Sequence, residues 1–177
     1  MTNYGTVMLS EEQLQKRVRE LGAQITKDYE GRKLMLIGVL KGCVYFMSDL
    51  SRAIDNPDLK IDFIVVSSYG ESTSSSGVVR ILKDLDKSIE GLDVLIVEDI
   101  LDTGLTLSYI TEIFKKRNPN SIRICTLLNK SVTKKKSVQA DYVGFEVANE
   151  FVIGYGLDYA EKYRNLKDIL IINPELI

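Results

Sequence analysis

The stretch from Asp93 to Leu107, DVLIVEDILDTGLTL, restricts the possible folds more than any other part of the chain. Val94 to Val97 is apolar at every position, as expected for a strand covered on both faces in a parallel sheet flanked by helices. The run then ends in carboxylates, Glu98, Asp99 and Asp102. Charge at the end of a buried strand is costly unless it is paired or hydrogen-bonded. In open α/β sheets ligands bind outside the carboxyl ends of the strands, so the stretch that predicts the fold also predicts a site.

The flanking sequence agrees. Ser10 and Gln13 make a capping box, and Leu14, Val18, Leu21 and Ile25 share one face of a helix over about 11–29. Lys33 to Leu40 reads as a buried strand, and Lys41-Gly42 turns into a second helix through Phe46, Leu50 and Ile54 that stops at Asp55-Asn56-Pro57. Lys60 to Ser68 is a strand. Tyr69 to Gly77, small, polar and aperiodic, is long enough for a lid or a hairpin tip, and Val78 to Asp84 returns as a strand. Leu107, Ile110, Ile113 and Phe114 mark a helix ended by Lys115, Lys116, Arg117 and Asn118-Pro119, cations at the negative end of its dipole. SIRICTLL is a further strand, and DYVGFEV, FVIGYGLDY and DILIINPEL are shorter β-like or mixed segments. Strands alternating with helices predict an α/β fold with a parallel sheet and right-handed crossovers.

Composition narrows the chemistry. The chain has no histidine, which excludes Ser-His-Asp and Cys-His catalysis and histidine metal sites. Acid–base work falls to Asp, Glu, Lys or Tyr, and any metal would be a hard, oxygen-liking ion. A net charge of -2 offers no global attraction to nucleic acid. Cys43 and Cys125 form no CxxC and read as small reduced hydrophobes. The apolar runs are strand-length, and Met1 to Ser10 has neither the basic start nor the apolar segment of a secretory signal, so a cytoplasmic protein is expected.

The turn after the strand has the make-up of an anion cradle. Gly104 permits backbone conformations that other residues avoid, and the turn opens into a helix whose free N–H groups and dipole favour an anion, with Thr103 and Thr106 adding hydroxyls. Neither GxxxxGK[ST] nor GxGxxG is present, so the cradle suits one monophosphate rather than ATP or a dinucleotide. Glu98 and Asp99 point to opposite sides if the strand is still extended there. Carboxylates next to a phosphate repel it unless Mg²⁺ or sugar hydroxyls intervene. The residues alone thus support a phosphorylated sugar with a metal, against a polar strand end with an ordinary loop.

VLIVEDILDTGLTL resembles the 5-phosphoribosyl-1-pyrophosphate motif of the type I phosphoribosyltransferases, and IGVLKG, SSYG, LLNK, DYVGFE and FVIGYGLDYAEKYRNL, in this order, resemble the hypoxanthine-guanine branch of that family. The resemblance spans most of the chain. It implies a parallel-sheet core over about 10–153, a small hood from 154–177 with 1–9, and a hairpin-like lid beginning at Ser68 and Tyr69. It assigns Glu98 and Asp99 to the ribose hydroxyls, directly or through Mg²⁺, and Asp102, Thr103, Gly104, Leu105 and Thr106 to the 5′-phosphate. Asp102 is also implied as the general base that takes the purine N7 proton while N9 attacks the ribose C1′. Lys130 matches the donor to the purine O6, which selects 6-oxopurines over adenine; as an isolated lysine it would read as solvated. Phe151 matches the residue that stacks on the base and Val152 the residue whose backbone meets its edge, although unaided both read as core strand residues. Asp158 corresponds to a second Mg²⁺ contact on the pyrophosphate side and is grouped with Lys130, Phe151 and Val152 among the purine-binding residues. Lys41, Gly42 and Arg164 correspond to pyrophosphate contacts, with a Lys41-Gly42 peptide that is often cis in the family.

The implied activity is transfer of the phosphoribosyl group to hypoxanthine or guanine, with Mg²⁺ as cofactor, in a homodimer or homotetramer. A xanthine-preferring or broader 6-oxopurine transferase is the alternative within enzymes, and a nucleic-acid-binding regulator is the alternative outside them. Lys134 to Lys136 matches no functional element and reads as a solvated loop.

Overall fold

The computed structural model describes residues 3–68, 79–131 and 138–176. Tyr69, the rest of the expected lid and the Lys134 to Lys136 run lie outside the described residues.

Helix α1 (Glu11–Asp28) starts where its cap predicts. The Ser10 hydroxyl accepts the Gln13 N–H at 3.3 Å, and the Gln13 side chain accepts the Ser10 N–H at 2.9 Å. Its buried stripe is Leu14, Val18, Leu21, Gly22 and Ile25. The central sheet has six strands in the order β4-β3-β2-β5-β6-β7: β2 (Leu34–Leu40), β3 (Lys60–Ser68), β4 (Val79–Lys83), β5 (Asp93–Leu101), β6 (Ser121–Lys130) and β7 (Tyr142–Val147). All its pairings are parallel except β3 with β4, which run antiparallel as the arms of a hairpin do.

Continuous apolar runs in β2 and β5 are explained by cover on both sides. Leu34, Leu36, Leu95 and Val97 pack with α1 and α2 (Val44–Ala53), whereas Met35, Ile37, Val94 and Ile96 pack with Leu107, Ile110 and Phe114 of α3 (Leu105–Lys115). Cys43 and Cys125 are buried, unpaired thiols, as expected.

A second, three-stranded antiparallel sheet in the order β1-β9-β8 joins β1 (Gly5–Leu9), β8 (Val152–Ile153) and β9 (Ile169–Ile172). It has a small core of its own in Ile153, Leu170 and Ile172, with Tyr159, Tyr163 and Leu166 against it. Asp168, just before β9, accepts the Glu11 N–H at 2.7 Å and so fastens this sheet to the start of α1. None of the helices among the described residues is long and apolar enough to cross a membrane.

Candidate active site

The carboxyl ends of β2, β5 and β6 carry most of the residues singled out above. After β5 the chain passes through Asp102 and Thr103 to Gly104, which caps α3 in the left-handed region at φ 77°. No side chain caps this helix, its first turn holds no acidic residue, and its start borders a cavity of about 70 Å³. Asp102, Thr103, Gly104, Leu105 and Thr106 line that cavity, with Glu98 at one side. A helix start beside a space this small suits a single tetrahedral anion.

A second cavity, of about 530 Å³, adjoins it through Glu98 and Thr106. Lys41, Gly42, Asp99, Asp158 and Arg164 line it, together with Leu40, Ser67, Leu82 and Glu161. Glu98 and Asp99, expected to diverge, instead line one space, and their carboxyls share a hydrogen bond. Their carboxyls are crowded. Burial first, then the like charge of Asp99, holds the Glu98 carboxyl well above its usual range. Burial pushes Asp99 up to about 6, against hydrogen bonds from the backbone that favour its charge. One of those donors is the Ile100 N–H, at 2.8 Å. The Glu98 Oε2 is buried with no hydrogen-bond partner.

Close approach decides the β2–α2 turn. A Cβ built on Gly42 would lie 1.7 Å from the Asp99 Oδ2, so only glycine lets the turn sit against that carboxylate. Among the described residues the cis peptide bond is Leu40-Lys41, one bond earlier than the Lys41-Gly42 bond indicated by the sequence.

On the far side, the segment between β8 and β9 folds into tight turns with positive φ at Tyr155, Ala160, Glu161 and Tyr163. Arg164 is held by the Gly156 carbonyl at 2.8 Å, Asp158 at 2.9 Å and Glu161 at 2.9 Å. Glu161 also meets Lys41 at 2.5 Å. Sequence reasoning missed Glu161; its place three residues before Arg164 was the available signal, whereas its pairing with Lys41 has no local signature. Tyr155 donates to Asp49 of α2 at 2.6 Å, which ties these turns to the core.

Lys130, ending β6, is not solvated: its side chain is 12% exposed and lies 3.5 Å from Asp102. Phe151 and Val152 line neither cavity. Val152 is buried in β8, and Phe151 is 48% exposed, its ring in a T-shaped contact with Tyr159 at 5.7 Å between centroids. Ser68 ends β3, opposite Val79. Another cavity, of about 580 Å³, opens around Thr26, Arg32 and Asn56 at the opposite edge of the sheet and contains none of the candidate site residues.

Among the described residues no group of three or more His, Cys, Asp or Glu side chains could hold a metal ion by itself. Glu98, Asp99 and Asp158 offer separate carboxylates around one crevice. That donor set fits an ion held by one or two carboxylates and completed by ligand oxygens and water, which is the habit of Mg²⁺.

Residues 8–160 match the model of the phosphoribosyl transferase domain. The chain is 56% identical over 168 residues to the hypoxanthine-guanine phosphoribosyltransferase of Bacillus subtilis, covering 95% of this chain and 93% of that one. It is 54% identical over 170 residues to the bifunctional protein TilS/HprT of Listeria innocua, covering 96% of this chain but 26% of that protein, so it spans about a quarter of that relative's length. A crystal structure of a hypoxanthine phosphoribosyltransferase from Staphylococcus aureus superposes with a TM-score of 0.94 at 52% identity, covering 98% of this chain and 94% of that one.

Proposed function

The chain belongs to the phosphoribosyl transferase family, and from that premise we propose that it joins hypoxanthine or guanine to the 5-phosphoribosyl group of 5-phosphoribosyl-1-pyrophosphate, releasing IMP or GMP and pyrophosphate. The observation that carries the reading is the meeting of Lys130 with Asp102 beside the turn before α3, a pairing that suits a cation for a purine oxygen and a carboxylate for a purine proton.

In this reading the 5′-phosphate rests on the N–H groups of residues 102–106, and the ribose hydroxyls turn toward Glu98 and Asp99. Lys130 donates to the purine O6; adenine presents an amino donor at that position and is refused. The exposed face of Phe151 stacks on the base, while the Val152 backbone meets its edge. Lys41, Gly42 and Arg164 hold the pyrophosphate. The bond from C1′ to pyrophosphate loosens first and its electron pair leaves with the pyrophosphate. N9 then closes on C1′ while the N7 proton passes to the Asp102 carboxylate. The protein's part is mainly to position the reactants and neutralise the leaving group. Glu98, Asp99 and Asp158 would hold Mg²⁺, which when bound supplies charge neutralisation at the pyrophosphate.

The test is nucleotide formation by the purified protein with 5-phosphoribosyl-1-pyrophosphate, offering guanine, hypoxanthine, xanthine and adenine separately, with and without Mg²⁺. GMP and IMP that require the metal, without AMP, are expected, and the xanthine lane reads the breadth at the purine 2-position. A folded protein that makes no nucleotide from any base would overturn the proposal.

A further inference from the structure

We infer that Glu161 is an internal counter-anion for the pyrophosphate subsite: its carboxylate holds Lys41 and Arg164 in the ligand-free protein and gives them up when pyrophosphate arrives. The inference rests on the reading of the crevice as the place where pyrophosphate binds.

The geometry is that of an anion already engaged. One Glu161 oxygen lies 2.5 Å from the Lys41 Nζ and the other 2.9 Å from the Arg164 Nη2, so a single carboxylate spans two cations brought from opposite sides of the crevice. Lys41 and Glu161 are 120 residues apart in the chain, and both line the cavity. The Glu161 main chain sits in the left-handed region at φ 62° and donates its N–H to the Asp158 Oδ2 at 2.8 Å. Such a backbone is uncommon for a residue with a side chain and persists where its surroundings over-determine it.

The side chain, in contrast, is 64% exposed, so it can swing into solvent while the backbone stays pinned. Arg164 keeps its bonds to the Gly156 carbonyl and Asp158 when Glu161 leaves, and so remains aimed at the crevice. Lys41, on a long stem that is 65% exposed, is held over the site by Glu161 until the ligand arrives.

Exposed ion pairs are individually weak, so a multiply charged anion displaces this one readily and loses only part of its affinity in doing so. The consequence is a pyrophosphate subsite deliberately weakened by its own counter-charge, which eases release of the product.

Calorimetric titration of the full chain with pyrophosphate in saturating Mg²⁺ tests this. Glu161→Gln should bind pyrophosphate about three- to tenfold more tightly than the parent, the range expected for removing one or two exposed pairs. Its KM for 5-phosphoribosyl-1-pyrophosphate should fall in proportion. Glu161→Ala should tighten binding likewise, and Glu161→Asp, charged but shorter, should fall between. Damage to the fold weakens binding, so tightening is a sign that a merely structural role does not produce. Equal or weaker pyrophosphate binding by both the Gln and Ala variants overturns the inference alone. Failure of pyrophosphate to compete with 5-phosphoribosyl-1-pyrophosphate in the parent protein, or indifference of its binding to Lys41→Ala, overturns the subsite reading and this inference with it.

Discussion

Asp102 and Lys130 face each other across 3.5 Å in unequal surroundings, the carboxylate 47% exposed and the lysine 12%. A proton acceptor that keeps contact with water and a donor fixed in a dry strand end suit the two roles proposed. Asp102→Asn should lower kcat by about 10²–10⁴, the usual contribution of a positioned base, with substrate affinities changed far less. A single-turnover rate equal to that of the parent protein would remove Asp102 from the base role. Lys130→Ala should raise the KM for guanine about 10- to 100-fold, as expected for loss of a hydrogen bond from a charged donor, while sparing 5-phosphoribosyl-1-pyrophosphate. Equal losses for both substrates would mean that Lys130 only supports the turn. At this scale the sequence was informative where chemistry is local: Asp102 to Thr106 are contiguous, and the cradle they form is a property of a strand, a turn and a helix start. It was silent on Glu161, whose partner Lys41 lies far away along the chain and whose ion pair exists only once β2 and the β8–β9 turns meet.

Elements with local signals were legible for a physical reason. The Ser10 cap and the stripe of Leu14, Val18, Leu21 and Ile25 are written within one helix, so α1 was readable to within a residue at each end. Strand β1 carries no such signal. Gly5 to Leu9 is extended because it pairs with Ile169 to Ile172 at the other end of the chain, and only tertiary contact supplies that. The β2–α2 turn lies between these cases: Lys41-Gly42 read as a turn, but the need for glycine at 42 comes from Asp99 on a neighbouring strand. Gly42→Ala should therefore disturb both stability and binding. Its methyl group would displace Asp99 or the turn, costing about 1–3 kcal/mol, typical of an overpacked site. The checks are a lower Tm together with a raised KM for 5-phosphoribosyl-1-pyrophosphate; a variant with the parent's Tm would mean that the turn adjusts without cost.

Over the whole molecule, helices cover both faces of the sheet and leave the carboxyl edge as the place where buried charge gathers. Glu98 and Asp99 both have carboxyls raised above their ordinary range, chiefly by burial, with Asp99 at about 6. The folded state thus holds protons that the unfolded chain has released, and stability is lost as pH rises through that value. The opposite case, Asp84 with its carboxyl lowered beside Arg117, loses its contribution only in more acidic solution. With no histidine in the chain, few other groups compete between pH 5.5 and 8. The ligand-free protein should therefore melt at a higher temperature at pH 5.5 than at pH 8. Asp99→Asn, which keeps an oxygen for the Ile100 N–H, should stabilise it at pH 8 by on the order of 1 kcal/mol, or about 2–4 °C in Tm, and flatten the pH dependence. Saturating 5-phosphoribosyl-1-pyrophosphate with Mg²⁺ should restore stability most at pH 8, because ligands that bind the ionised pair draw on the form the empty crevice disfavours. A Tm independent of pH across this window, with Asp99→Asn no more stable than the parent, would mean that water and backbone donors already compensate the pair and that the crevice stores no such charge.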